Sequence, residues 1–254
     1  MDGIEQNDHV QRYLARIVEL TRDVLKDSLV GLYLHGSAVQ SNWIASTSDI
    51  DVIGLVTGPI ADQQQADLAQ VLSYEHCPVP AQGLEYILCA KQAAQFPTID
   101  CRFEFALSTG ADWGTDCEAS GVASDTLVDF ALCRQSGHAL FGPEPEDVFE
   151  AIPVALLRQS LFEELRWHLN ELERSDEPRL LANSVLNAAR SVHAAETGVI
   201  LSKSDGVNWW LRRYRRDDLV SGALAIRHGQ DAAPLDRDRV VDFVNAVDNR
   251  IAAL

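Results

Sequence analysis

"LHGSAVQSNWIASTSDIDVIGLV", residues 34–56, sets Gly36-Ser37 at the end of one apolar run and opens the next with Asp49-Ile50-Asp51. Glycine lets a backbone approach a ligand closely, and the amides just after it, with the Ser37 hydroxyl, can donate to phosphate oxygens. Strand alternation turns Asp49 and Asp51 to one face and Ile50 to the other. Two carboxylates on one face make a negative site that calls for a cation, and hard oxygen donors near phosphate favour Mg2+. Two such ions could hold a triphosphate and stabilise charge at a transferred phosphorus. Taken singly, the halves also read as a tight turn and a solvated strand end. Their order (strand, Gly-Ser, spacer, Ser-Asp-x-Asp, strand) carries the sharper meaning.

Working outward, Val10, Leu14, Ile17, Val18 and Leu25 recur at helical spacing over residues 9–26. "SLVGLYLHG", "DIDVIGLV", "GLEYILCA" and "IDCRFEFAL" read as four strands, and "DQQQADLAQVLSY" as a helix between the second and third. "SDTLVDFALCRQSG" predicts a helix with Ser124 as N-cap and Gly137 just past its end. Gly and Pro then punctuate residues 137–153, and the pattern beyond is helical, with helices near 154–174, 180–197, 203–216 and 236–252. The expectation is an α/β (α+β) protein: a mixed sheet with helices over 1–150, joined to an α-helical bundle over 151–254.

Composition narrows the partners. Twenty-one basic and 38 acidic side chains give a net charge of −17, which repels a phosphate backbone and argues against extended nucleic acid. The same charge would attract a small polycation, or serve solubility alone. Five cysteines stand singly with no Cys-x-x-Cys pair, against a structural zinc site or a disulfide framework. The N-terminal stretch lacks a basic n-region and an apolar h-region, and no apolar run approaches a membrane span. A soluble, cytoplasmic, monomeric chain is expected.

The segment "HGSAVQSNWIASTSDIDVIGLV" resembles the signature of the DNA polymerase β-like nucleotidyltransferases. That resemblance implies a Gly-Ser cradle (Gly36, Ser37) for the nucleotide, metal binding by Asp49 and Asp51, and release of pyrophosphate. "LYLHGSA", "TSDIDVIGLV", "LEYILCA", "SGHALFGPEPEDVF" and "ARSVHAAETGVILSKSDGVNWW" further resemble the aminoglycoside nucleotidyltransferases that adenylylate streptomycin and spectinomycin. This implies a nucleotidyltransferase domain, a helical substrate-binding domain and an active site in the cleft between them. It also implies ATP as co-substrate and a small cationic antibiotic as acceptor.

A sugar hydroxyl needs a base to take its proton. Glu85 opens the third strand, where a carboxylate can face the metals, and the resemblance puts the catalytic glutamate there, in contact with the acceptor. Asp100 and Glu104 are its rivals. Ser48 is a further triphosphate candidate, or a residue that turns the chain. By resemblance Lys203 reaches the nucleotide's phosphates, Arg190 assists it, and Asp176 and Glu177 lie near the acceptor. The chain departs from the family at "FEFA", residues 103–106, and at Pro178, which leaves the acceptor open. A protein or tRNA acceptor, and a non-enzymatic nucleotide-sensing module, are the alternatives.

Overall fold

Asn7 starts the first helix: its side chain accepts from His9 N and Val10 N, and α1 runs Asp8–Leu25 until Lys26 turns to φ 49°. The computed structural model describes residues 7–40, 43–44, 47–122, 125–215 and 217–254. After α1 the order is β1 (Leu29–His35), β2 (Ile50–Val56), α2 (Asp62–Leu72), β3 (Leu84–Ala90), α3 (Lys91–Gln95), β4 (Arg102–Gly110), β5 (Gly114–Glu118), β6 (Gly121–Val122), α4 (Thr126–Ser136), β7 (His138–Phe141) and α5 (Pro145–Val148). Helices α6 (Val154–Arg174), α7 (Pro178–Thr197), α8 (Lys203–Tyr214), α9 (Asp218–Arg227) and α10 (Arg237–Ala252) follow. The contacts divide the chain into two units, Met1–Ala151 and Ile152–Leu254.

The first unit is built on a mixed sheet of order β5-β4-β3-β2-β1-β7, with β6 beside β4. Only the β2–β3 pair is parallel among the described strands. Alternation sends Val52, Leu84, Tyr86 and Leu107 to one face, where they pack with Leu14 and Ile17 of α1 and Leu68 of α2. Burying each such side chain stabilises the fold by about 1.5–3 kcal/mol relative to exposure. Thr21 Oγ1 lies 3.2 Å from the Tyr86 hydroxyl, so that buried phenol is satisfied. On the other face, Tyr33 of β1 meets Phe149 edge-on, and Phe149 meets Phe130 of α4.

The second unit is all helical, with α7 contacting α6, α8, α9 and α10. Small residues on α7 (Ala182, Ala188, Ala189, Ala194, Ala195) are buried and let its neighbours come close. Pro178 opens the helix and Gly198, at φ 78°, closes it in the left-handed conformation. No helix among the described residues is long and apolar enough to cross a membrane.

The sequence expectations differ from the structure in particular places. The fourth strand starts at Arg102, because residues 99–100 form a turn, and it extends to Gly110. β5 was not expected: "GTDCE" is exposed throughout and has no apolar alternation to announce it. β7 lies inside the stretch read as a junction, and α9 is an additional helix. The expected N-cap Ser124 lies outside the described residues. Of the five free cysteines, four are buried and Cys117 is exposed.

Candidate active site

A polar row crosses the sheet on the face away from α1 and α2. His35 of β1 stands opposite Asp51 of β2, Asp51 beside Glu85 of β3, and Glu85 opposite Ser108 of β4. Residues paired this way share a face and are near neighbours. The Ser108 hydroxyl donates to Glu85 Oε2 at 2.7 Å. Asp49 precedes β2 by one residue, and its charge acts on Glu85, as do those of Asp51 and Asp125.

That setting shows in the ionisation. The Glu85 side chain reaches solvent, yet the protein around its carboxyl strips part of its water. This loss of hydration pushes the carboxyl up to about 7, opposed by the Ser108 hydrogen bond and reinforced by Asp49, Asp51 and Asp125. His35 is 5% exposed. Burial holds it down to about 4, so it is neutral at pH 7. Its Nδ1 lies 3.8 Å from Asp129 Oδ1, beyond hydrogen-bonding distance.

Gly36 follows β1 at φ 67° and begins the short turn Gly36–Ala38 that holds Ser37. A Cβ at position 36 would collide with Asp51 Oδ2, so the missing side chain is what admits the carboxylate beside the turn. This tests the Mg2+ expectation favourably: hard carboxylate oxygens stand next to backbone that an anion can approach. Among the described residues, no group of three or more His, Cys, Asp or Glu is arranged to hold a metal alone. Mg2+ does not require one, since it commonly takes one or two carboxylates together with waters and substrate phosphates.

The structure therefore brings together Gly36, Ser37, Asp49, Asp51 and Glu85. Ser48 is close in sequence, but its buried hydroxyl accepts from Ile44 N at 3.0 Å and fastens its own loop. Glu104 shares the Ser108 face four residues away, roughly 13 Å along the strand. Asp100 is exposed in the turn before β4. In the second unit, Lys203 at the start of α8 donates to Asn183 Oδ1 at 3.0 Å. Lys203 and Arg190 both act on buried His168, whose pKa is held at about 3 by burial first and these charges next. Glu177 caps α7 by accepting from Leu180 N at 2.8 Å, and Asp176 beside it is exposed. The two acids lie about 20 Å along α7 from Arg190.

Sequence reasoning missed His35, Ser108, Asp125 and Asp129. Alternation along "RFEFALSTG" already placed Ser108 on a definite face, but only the cross-strand register pairs it with Glu85.

Residues 147–250 match the family model described as the aminoglycoside adenylyltransferase, C-terminal domain. A spectinomycin 9-adenylyltransferase of Staphylococcus aureus is 23% identical, covering 80% of this chain and 78% of that protein. An aminoglycoside (3'') (9) adenylyltransferase of Escherichia coli is 25% identical, and one of Klebsiella pneumoniae 26%, each covering 95% of both chains. The fold is similar to the spectinomycin adenyltransferase AAD(9) of Enterococcus faecialis, solved with ATP and spectinomycin. There the TM-score is 0.74 at 18% identity, over 95% of this chain and 99% of that one.

Proposed function

We propose that this nucleotidyltransferase, which is similar to the aminoglycoside adenylyltransferases, transfers AMP from ATP to a hydroxyl of a small cationic aminoglycoside or aminocyclitol. Spectinomycin and streptomycin define the acceptor class, and pyrophosphate is the second product. Residues 1–150 form the transfer domain in this reading, and 151–254 the substrate-binding domain.

The observation that carries it is the register of Asp51 beside Glu85 and Glu85 opposite Ser108. Glu85, oriented by the Ser108 hydroxyl, accepts the acceptor's hydroxyl proton. The freed oxygen bonds to the α-phosphorus of ATP. The bond from that phosphorus to the bridging oxygen of the β-phosphate breaks, and pyrophosphate leaves with the electron pair. A base works best with its pKa near the working pH, and the Glu85 carboxyl at about 7 meets that condition. Asp49 and Asp51 would hold Mg2+, two ions in this reading, which when bound neutralises the triphosphate and stabilises charge at the transferred phosphorus. The amides after Gly36 and the Ser37 hydroxyl receive phosphate oxygens in this reading.

Purified protein with ATP, Mg2+ and a panel of aminoglycosides tests the proposal. Expected are pyrophosphate release and one or more acceptors heavier by a single adenylyl group. Silence across the panel, with label from ATP entering a protein or RNA band in lysate, would move the acceptor to a macromolecule.

A further inference from the structure

Between the sheet and α4 lies a buried imidazole that the transfer step above does not use. β1 ends at His35, and Gly36 turns the chain at once. The backbone thereby gives His35 two neighbours: Asp51, directly opposite on β2, and the Gly36–Ala38 turn that follows it. Opposed residues of an antiparallel pair keep their Cβ atoms about 4.5–5.5 Å apart, so the ring and the Asp51 side chain rise from adjacent points of one face. From above, α4 packs on both β1 and the turn. It brings Asp129 Oδ1 to 3.8 Å from His35 Nδ1. Burial raises the Cys133 thiol, one turn beyond Asp129, and the charges of Asp129 and Asp51 add to it, so both carboxylates border this layer.

His35 Nδ1 is enclosed and makes no hydrogen bond among the described residues. A buried polar atom left so costs about 1–3 kcal/mol, and few are kept in folded proteins without a use. The Asp129 side chain is 34% exposed, so it can turn at the edge of the layer. A shift of about 1 Å would bring its oxygen to hydrogen-bonding distance of Nδ1. A carboxylate accepts several hydrogen bonds, so it can take this one beside its other interactions.

We propose that His35 and Asp129 are positioning residues for Asp51: Asp129 accepts from the Nδ1–H of His35, and the ring so held limits the orientations open to the Asp51 carboxylate and steadies the Gly36 turn beside it. The inference rests on the Mg2+-dependent reading above and adds two residues which that reading leaves out. A ligand whose rotamers are restricted beforehand loses less freedom when the cation arrives. An imidazole can do this without a fixed positive charge that would compete with Mg2+ for Asp51.

The test reads binding as well as turnover. A non-hydrolysable ATP analogue is titrated by calorimetry over a series of Mg2+ concentrations. His35→Phe keeps a ring but loses the donor, Asp129→Leu loses the acceptor, and Asp129→Asn keeps one. The first two are expected to raise the Mg2+ concentration for half-maximal binding about tenfold, and the Mg2+ requirement of adenylyl transfer in parallel. Asp129→Asn should retain most of the unaltered behaviour. The double variant His35→Phe/Asp129→Leu should lose no more than either single one, since the two residues act as a unit. An unchanged Mg2+ requirement in both single variants overturns the inference, whether or not Tm falls, and leaves the transfer reading standing. Additive losses in the double variant, or equal losses in Asp129→Leu and Asp129→Asn, overturn it equally. If Mg2+ does not affect analogue binding by the unaltered protein, the metal reading fails and this inference fails with it.

Discussion

On one face of β2 and β3, Ile50, Val52, Leu84 and Tyr86 are buried against α1 and α2. On the other, Asp51 and Glu85 stand side by side with Asp49 close in sequence. The same backbone serves both, since alternation hands successive residues to opposite sides. The apolar face lowers the folded state's free energy by removing surface from water. The acidic face works the other way: lost hydration, reinforced by Asp49 and Asp51, raises the Glu85 carboxyl and makes its ionisation harder. Stability made on one side of the sheet thus supports an unfavourable charge arrangement on the other, the pattern expected where a site is selected for chemistry.

The comparison breaks first at Glu85. Glu85→Gln is expected to lower kcat by about 10²- to 10⁴-fold at saturating ATP, the scale of a lost general base, with unfolding stability unchanged or raised. Near-normal transfer by Glu85→Gln, alongside a loss in Glu104→Gln, would move the base from β3 to β4. One residue away, Leu84→Ala should do the reverse. It opens a cavity in the α1–α2 core and costs about 2–5 kcal/mol of stability in urea titrations, while activity per folded molecule stays within severalfold. If the two variants lose stability and activity in the same proportion, the faces are not separable.

How much of this could be read beforehand depends on the range of the interaction. Val10, Leu14 and Ile17 announce α1 through local spacing, and the Asp-x-Asp pair opens β2 where alternation says it should. The helices expected near 154–174 and 203–216 were legible for the same reason, the second ending at Tyr214. β5 was not, because an exposed hairpin strand needs no apolar period; its partner β4 supplies its hydrogen bonds. Within the site, Glu85 was legible as an acid opening a strand. Ser108 and Asp125 beside it were not. Ser108 reaches Glu85 through antiparallel register across 23 residues, and Asp125 acts on it from the segment that leads into α4. The engagement of Ser48 with Ile44 N and of Glu177 with Leu180 N is local, and a capping pattern could have suggested both.

The smallest expected effect sharpens the comparison most directly, because it measures what ionising Glu85 costs on that face, through lost hydration first and the neighbouring charges next. The Glu85 carboxyl rises from an ordinary 4.5 to about 7 on folding, so the folded state holds that proton more tightly than the unfolded chain. The stability gained is fully present below about pH 4.5 and is lost as pH rises through 7. In Mg2+-free buffer, the stability of the unaltered protein minus that of Glu85→Gln should therefore decline between these limits. Glu85 faces solvent in part, so screening keeps the change on the order of 1 kcal/mol or less. His35 and His168, held down to about 4 and 3, act in the opposite sense: their stabilisation is lost as pH falls below 6.5. They are common to both proteins, so the difference curve cancels them. Adding Mg2+ should flatten the decline, since a cation beside Asp49 and Asp51 offsets the charges that burden Glu85. A difference curve that is flat without Mg2+ would mean that the acidic face is hydrated enough to cost nothing, and that the two sides of the sheet differ in composition but not in energy.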